Sequence, residues 1–299
     1  MLTIVILLRA KCGLSKCITR YLLAMAVADF LVLIFTVVLF ELNDTYFPNS
    51  VLNRFYICSL KYLLGFVVVD CSVWLTICFT FDRFVAICCE KLRSKYCNEQ
   101  TASIVIAVVI VLCISENIPI YFAFEPREIM DGVEWHCLLK SSFYAAAGWV
   151  AYSWTDNVLT PFAPFILILL LNTLTIRHIM FASKIRKALH SKSGGIPKHD
   201  PEVQNRNKSI VLLIAISASF VLLWLTATIY FITAKITDAQ HFDTDYSHAL
   251  GVMEKSGYML QLLNPCTNTF IYAVSQTKFR LELMHVIEWP FRLIIKALK

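Results

Sequence analysis

The sequence predicts an all-α bundle of membrane-crossing helices, and three observations carry that expectation. Hydrophobic residues make up 58% of the 299, charged residues 16%, and the mean hydropathy is +0.65; a soluble domain carries about 25% charged residues. Six stretches, near 18–40, 57–81, 102–124, 158–182, 210–234 and 250–274, each supply the roughly 20 mostly apolar residues that a spanning helix needs. Most of the basic residues fall in alternate connections between those stretches.

A seventh apolar run, 2–8, is too short to span, and no basic n-region or small-residue cleavage site marks it as a signal peptide. The chain reads as starting inside a first helix, as a truncated gene model or alternative start would, with a complete first helix as the ancestral state. Counted with that stub, 1–299 is a single seven-helix domain.

Orientation follows from the basic residues. Arg9, Lys11, Lys16 and Arg20 follow the stub, and Arg83, Lys91, Arg93 and Lys95 follow the third helix. The connection after the fifth helix holds Arg177, Lys184, Arg186, Lys187, Lys192, Lys198, Arg206 and Lys208. The tail adds Lys278, Arg280, Arg292, Lys296 and Lys299. Short basic loops stay in the cytoplasm, so these connections and the C-terminus are expected there. The opposite loops are acidic, with Glu125, Glu128, Asp131 and Glu134, then Asp238, Asp243 and Asp245. The net charge of +6 is therefore a matter of topology, and no nucleic-acid partner is expected.

Most of the eleven cysteines lie inside helices or on the cytoplasmic side, where thiols stay reduced. Cys58 and Cys137 fall outside. A disulfide between them would tie the long outer loop, about 125–153, over the bundle mouth; the alternative is two free thiols in an oxidising space. Asn43-Asp44-Thr45 is an outward-facing glycosylation sequon close to the membrane. The stretch HSKSGGIPKHDPEVQN at 190–205 reads as a mobile linker. In KFRLELMHVIEW (278–289), Phe279, Leu283, Val286 and Ile287 share one face, which predicts an amphipathic helix in the interface.

Polar groups inside membrane helices are costly and mark function. Asp29 sits mid-helix in YLLAMAVADFL, and the third helix carries Asp70, Ser72 and then FTFDRFVAICC with Asp82 and Arg83. SFVLLWLT in the sixth contains Phe220 and Trp224. Gln261, Asn264, Asn268 and Tyr272 recur at intervals of three and four and so share one face of the last helix.

In this order, LAMAVAD, the outer Cys58, DRF, the loop Cys137, FVLLW and N-x-x-x-N-x-x-x-Y-x6-F resemble the rhodopsin-like (class A) G-protein-coupled receptors along the whole chain apart from its start. ITRYLLAMAVAD, DCSVW, FTFDRFVAICCEKL, DPE and NTFIY resemble an orphan branch whose characterised relatives respond to aromatic amino acids and short peptides.

The resemblance implies a role for each polar group. Asp29, Ser72, Asn264 and Asn268 would form a sodium and water pocket, since oxygen ligands suit a hard cation; the alternative is a water-filled polar cluster without an ion. Beyond that sodium ion no cofactor is expected. Asp82 would hold Arg83 at rest and release it to a heterotrimeric G protein. Arg206 stands where many relatives place an acid, which implies a weak inter-helix lock and appreciable basal signalling. Phe220 and Trp224, with Asn268 and Tyr272, would be the activation switch. Thr226 replaces the usual sixth-helix proline, Asn172 the usual fifth-helix tyrosine, and Thr269 the proline of the last motif, while Pro265 stands a turn earlier.

The ligand pocket is expected between the outer halves of helices three, five, six and seven, lined by Tyr62, Gly65, Phe66, Val69 and Asp156 and by Trp224, Thr228, Phe231, Tyr258 and Gln261. Gly65 replaces the aspartate of amine receptors and Leu262 the lysine of opsins, so neither a biogenic amine nor retinal is expected. The Asp156 carboxylate among aromatics would suit a small aromatic or peptidic ligand with a cationic group. Asp70 is expected to make a structural hydrogen bond toward helices four and five. The resemblance thus implies a plasma-membrane receptor passing an extracellular ligand's binding to a G protein. The competing readings are a non-signalling remnant and a transporter, against which no inverted repeat is found. An enzyme is disfavoured, because HExxH, GxSxG and paired catalytic aspartates are absent.

Overall fold

The computed structural model describes residues 1–9, 14–193, 201–236, 249–275, 278–286 and 288. The acidic connection 237–248, the linker residues 194–200, Ile287, the tail beyond 288 and the Arg206 side chain lie outside the described residues. The stub forms α1 (Leu2–Leu8), whose Ile6 and Leu7 are buried. The spans follow as α2 (Lys16–Tyr46), α3 (Phe55–Cys88), α4 (Glu99–Ala123) and α5, in which Ala147–Asn157 runs through a bent turn, Val158–Phe162, into Ala163–Ser193. Next come α6 (Pro201–Ile236), α7 (Ala249–Ser275) and the interfacial α8 at 278–286.

Among the described residues, five helices are long and apolar enough to cross a membrane, and α7 is not one of them. It is helical where 250–274 was expected, but Glu254, Lys255, Gln261, Asn264 and Asn268 lower its hydropathy. The helices also outrun the apolar stretches, because hydropathy marks the lipid-embedded part and not the turns that project beyond it.

Burial orders the bundle. In α3, 67% of the apolar span is buried, against 22% in α4, so α3 stands in the middle and α4 at the lipid edge. Ile104, Val108, Val111 and Leu112 of α4 are exposed, as lipid contact allows. Apolar side chains gain little by leaving lipid for protein, so close packing and internal polar bonds must hold the helices together. Gly257 illustrates this: a Cβ there would come within 2.9 Å of the Ala227 backbone, so the glycine permits the close approach of α7 to α6. The main core joins Tyr21 and Met25 of α2, Leu75 and Phe79 of α3, Leu212 and Ile216 of α6, and Tyr272 of α7. Phe279 of α8 is buried in that core, with its ring edge-on to Tyr272 at 5.8 Å, and Leu283 and Val286 pack beside it. Phe279, Leu283 and Val286 of the expected face thus turn toward the bundle, while Ile287 lies outside the described residues.

The outer loop is more ordered than the sequence indicated. Its first part is an antiparallel hairpin, β1 (Phe124–Met130) and β2 (Val133–Leu139), with Phe124 opposite Leu139 and Met130 opposite Val133. Asp131 and Gly132 turn it with φ of 51° and 73°, a pair of positive values that Asp-Gly accommodates readily. Cys137 of β2 is disulfide-bonded to Cys58 of α3, with Cα atoms 6.0 Å apart. The hairpin is therefore pinned over the bundle mouth.

The outer end of α2 contains a π-helical stretch, Leu33–Leu42, whose extra residue per turn alters which side chains face inward beyond it. There the sequon asparagine, Asn43, is buried, and its Nδ2 donates to Asn53 Oδ1 at 2.8 Å and Asp44 Oδ1 at 3.1 Å. The atom that would carry a glycan is already engaged inside the fold.

Candidate functional site

A cavity of about 640 Å³ opens at the end of the bundle that carries the hairpin. From α3 it is lined by Tyr62, Gly65, Phe66 and Val69, from α5 by Asp156, from α6 by Trp224 and Phe231, and from α7 by Tyr258 and Gln261. These expected residues border the cavity. Thr228 does not: its hydroxyl donates to the Trp224 carbonyl one turn back at 2.8 Å, and its side chain is buried away from the cavity. The expected walls also lacked α2, which contributes Thr36, Phe40, Glu41 and Asp44 through its π-helical end.

Charge on the lining is one-sided. Glu41, Asp44, Asp70, Asp156 and Glu254 face the cavity with Lys255 as the sole cation among the lining residues. One carboxylate is compensated. Lys61, buried on α3, donates to Asp44 Oδ1 at 2.7 Å and to Asn53 Oδ1 at 3.2 Å, and its ammonium lies 4.7 Å from the Phe40 ring centre. A buried ammonium is tolerated when paired and hydrogen-bonded in this way. Asp70 is held by Asn117 of α4, whose Nδ2 donates to Oδ2 at 2.6 Å, which agrees with the structural bond toward the fourth helix.

Trp224 forms the cavity floor and stacks on Phe220 with ring centres 5.2 Å apart. Phe220 in turn meets Phe165 of α5 at 6.0 Å, and both α6 aromatics are buried with Val73 and Ile77 of α3 and Ile168 of α5.

Below this layer lies a polar centre. Asp29 Oδ1 accepts from the Ser72 hydroxyl at 2.6 Å, and Oδ2 accepts from Asn268 Nδ2 at 2.7 Å. Asn264 is buried one turn away, and Asn268 Oδ1 is buried without a hydrogen-bond partner among the described residues. Two neutral donors satisfy the carboxylate's lone pairs in part and leave its charge uncompensated when ionised.

Toward the far end of α3 from the hairpin, Arg83 Nε donates to Asp82 Oδ2 at 3.0 Å and Nη2 pairs with the same oxygen. The other oxygen, Oδ1, accepts from the Cys17 thiol of α2 at 3.1 Å. The Asn172 Oδ1 and Tyr272 hydroxyl oxygen are buried without partners among the described residues. Among the described residues, no direct hydrogen bond joins them.

The profile of the 7 transmembrane receptor (rhodopsin family) matches residues 1–272, most of the chain. The chain belongs to the rhodopsin family of seven-transmembrane receptors. It is accordingly a multi-pass membrane receptor with an all-α bundle, and members of that family are receptors and not enzymes.

Two departures of this receptor from the family pattern have a local structural account. Thr226 lies inside α6, which is helical from Pro201 to Ile236. Thr269 exchanges a 2.8 Å hydroxyl contact with Thr3, so the position tethers α7 to α1. Pro265 lies within α7, where it withholds one backbone donor from the turn before.

Sequence reasoning missed Glu41, Asp44, Lys61, Glu254 and Cys17. A signal existed for Lys61, a charge four residues inside the apolar run that starts at 57. Nothing local marked Cys17, whose partner is 65 positions away.

Proposed function

We propose that this receptor binds an extracellular small aromatic or peptidic ligand with a cationic group and passes the event to a heterotrimeric G protein. The observation that carries the reading is an outer cavity lined by carboxylates and floored by Trp224, which stacks on the buried Phe220. A ligand pressing on Trp224 moves Phe220 and the α3–α5–α6 contacts behind it. The cation would meet Asp156 or Glu254, and aromatic groups would meet Tyr62, Phe66, Phe231 and Tyr258, with Val69 and Gln261 completing the lining.

Asp82 holds Arg83 at rest in this reading, and release of the guanidinium exposes the G-protein contact. Asn268 and Tyr272 carry the movement along α7. The carboxylate of Asp29, the Ser72 hydroxyl and the partnerless Asn268 Oδ1 offer hard oxygen donors around one point, with Asn264 beside them. That donor set fits a sodium ion, which when bound would neutralise the buried carboxylate and favour the resting arrangement. In this reading the receptor sits in the plasma membrane, and charge bias supports basic connections and a C-terminus in the cytoplasm.

The test is a G-protein activation screen of the full chain against amino acids and short peptides, across G-protein classes. Activation by a cationic aromatic compound, lost in Asp156→Asn with surface expression kept, supports the reading. Basal output equal to empty vector together with no response to any compound overturns it.

A further inference from the structure

A second cavity, of about 720 Å³, lies beneath the hairpin, between it, α3, the end of α4 and the start of α5. Tyr62, Phe66 and Asp156 line both this chamber and the main cavity. Tyr62 stands at the partition: its ring centre is 4.5 Å from Phe40 on the main side and 4.6 Å from Phe124 on the hairpin side. Away from the shared wall the chamber is mainly apolar, with Ile120, Phe124, Leu139 and Phe143, and its charged lining residues are Asp156 and Glu125. Among the described residues, no hydrogen bond or ion pair engages the Asp156 carboxylate. A carboxylate free to take a partner thus stands where an acidic chamber and an apolar chamber meet.

We propose that the space under the hairpin is an accessory ligand chamber, and that the receptor's ligand is an amphipathic organic cation. Its ammonium or guanidinium sits at Asp156, and an aryl or branched aliphatic arm reaches past Tyr62 and Phe66 into the hairpin chamber. This deepens the ligand-receptor reading above and rests on it. Both volumes fall in the range of ligand pockets, and such pockets combine apolar lining with few placed polar groups. The acidic lining selects the sign of the head group; the apolar chamber selects the arm. The disulfide of Cys137 holds the chamber's roof, so the arm's affinity depends on a covalent restraint of the outer loop.

Three probes separate these elements: 4-(biphenyl-4-yl)butylamine, its carboxylate isostere 4-(biphenyl-4-yl)butanoate, and 2-phenylethylamine, which has the head group without the long arm. Affinities come from concentration-dependent thermal shifts of the purified full chain in detergent. The expected result is stabilisation by the biphenyl amine at lower concentration than by 2-phenylethylamine, with none from the butanoate. Two substitutions fill the chamber from opposite walls, Leu139→Trp on the hairpin and Ser153→Phe on α5. Each should cut the affinity ratio of the biphenyl amine over 2-phenylethylamine at least tenfold, and Asp156→Asn should weaken both amines. A shift undiminished by Asp156→Asn is micelle partition and overturns the proposal, as does equal binding of the butanoate or an unchanged ratio in both filling variants. No shift with either amine also overturns it. A G-protein response in the activation screen would then leave the receptor reading standing without the accessory chamber.

Discussion

The Cys17 thiol donates to Oδ1 of Asp82 at 3.1 Å while Arg83 occupies Oδ2, so a thiol from α2 and a guanidinium from α3 share one buried carboxylate. Losing the thiol leaves Oδ1 without that donor, at a cost of about 1 kcal/mol. Cys17→Val should therefore raise ligand-free G-protein activation roughly fivefold if the resting state alone carries this bond. Cys17→Ser, which retains a donor, should stay near the parent. Basal activation that is equal in the two variants would remove Cys17 from the resting restraint.

The partnerless Asn268 Oδ1 beside Asp29 makes a second expectation concrete. Melting of the purified chain in sodium chloride should exceed melting in choline chloride by about 2 °C or more. Asp29→Asn should abolish the difference, because it removes the charge while keeping the shape. Equal melting of the parent in both salts would leave a polar cluster without an ion.

Cys58 and Cys137 are 79 positions apart, and the chain-entropy cost of closing a loop of that size is about 4.5 kcal/mol. Reduction, or Cys137→Ser, should free the hairpin and lower the melting temperature. The double variant Cys58→Ser/Cys137→Ser should match the single one, as the lost bond is the same. Surface expression and thermal melting report both.

Burial of Asn43 predicts an unglycosylated position. Glycosidase treatment should leave the protein's electrophoretic mobility unchanged. Thr45→Ala, which destroys the sequon without touching the Asn43–Asn53 bond, should behave as the parent. Asn43→Ala should lower stability by about 1–3 kcal/mol, since Asn53 Oδ1 loses one of its donors.

Gly257 faces the Ala227 backbone at a distance no Cβ tolerates. Gly257→Ala should cost about 1–3 kcal/mol through forced separation of α6 and α7, read as reduced melting. Ala227→Gly on that background should recover part of the loss, because the contact includes the Ala227 methyl at 3.2 Å.

Much of the bundle was legible from periodic apolar runs, because a lipid-facing helix must be apolar over its full span. The mid-helix polar residues were legible for the same reason: Asp29, Ser72 and Asn268 stand out against lipid and do meet. The hairpin was not read as one. Its strands, FEPREIM and VEWHCLL, carry charges and a proline that mask the alternation, although Asp131-Gly132 was a usable turn signal. Thr228 was misplaced because helical phase alone cannot show a hydroxyl turning back onto its own backbone. The acidic α2 wall depends on a π-helical register that a 3.6-residue wheel does not contain.

The Lys61–Asp44 pair bears on how a ligand gets in. Prising the outer ends of α2 and α3 apart would strand a buried ammonium, and breaking such a pair costs about 3–5 kcal/mol. The Lys61–Asp44 pair therefore resists separation of α2 from α3 at this rim. Elsewhere on the lining, α7 presents Glu254 and the exposed Lys255. The Lys61–Asp44 pair acts as a clasp on the α2–α3 edge of the bundle mouth.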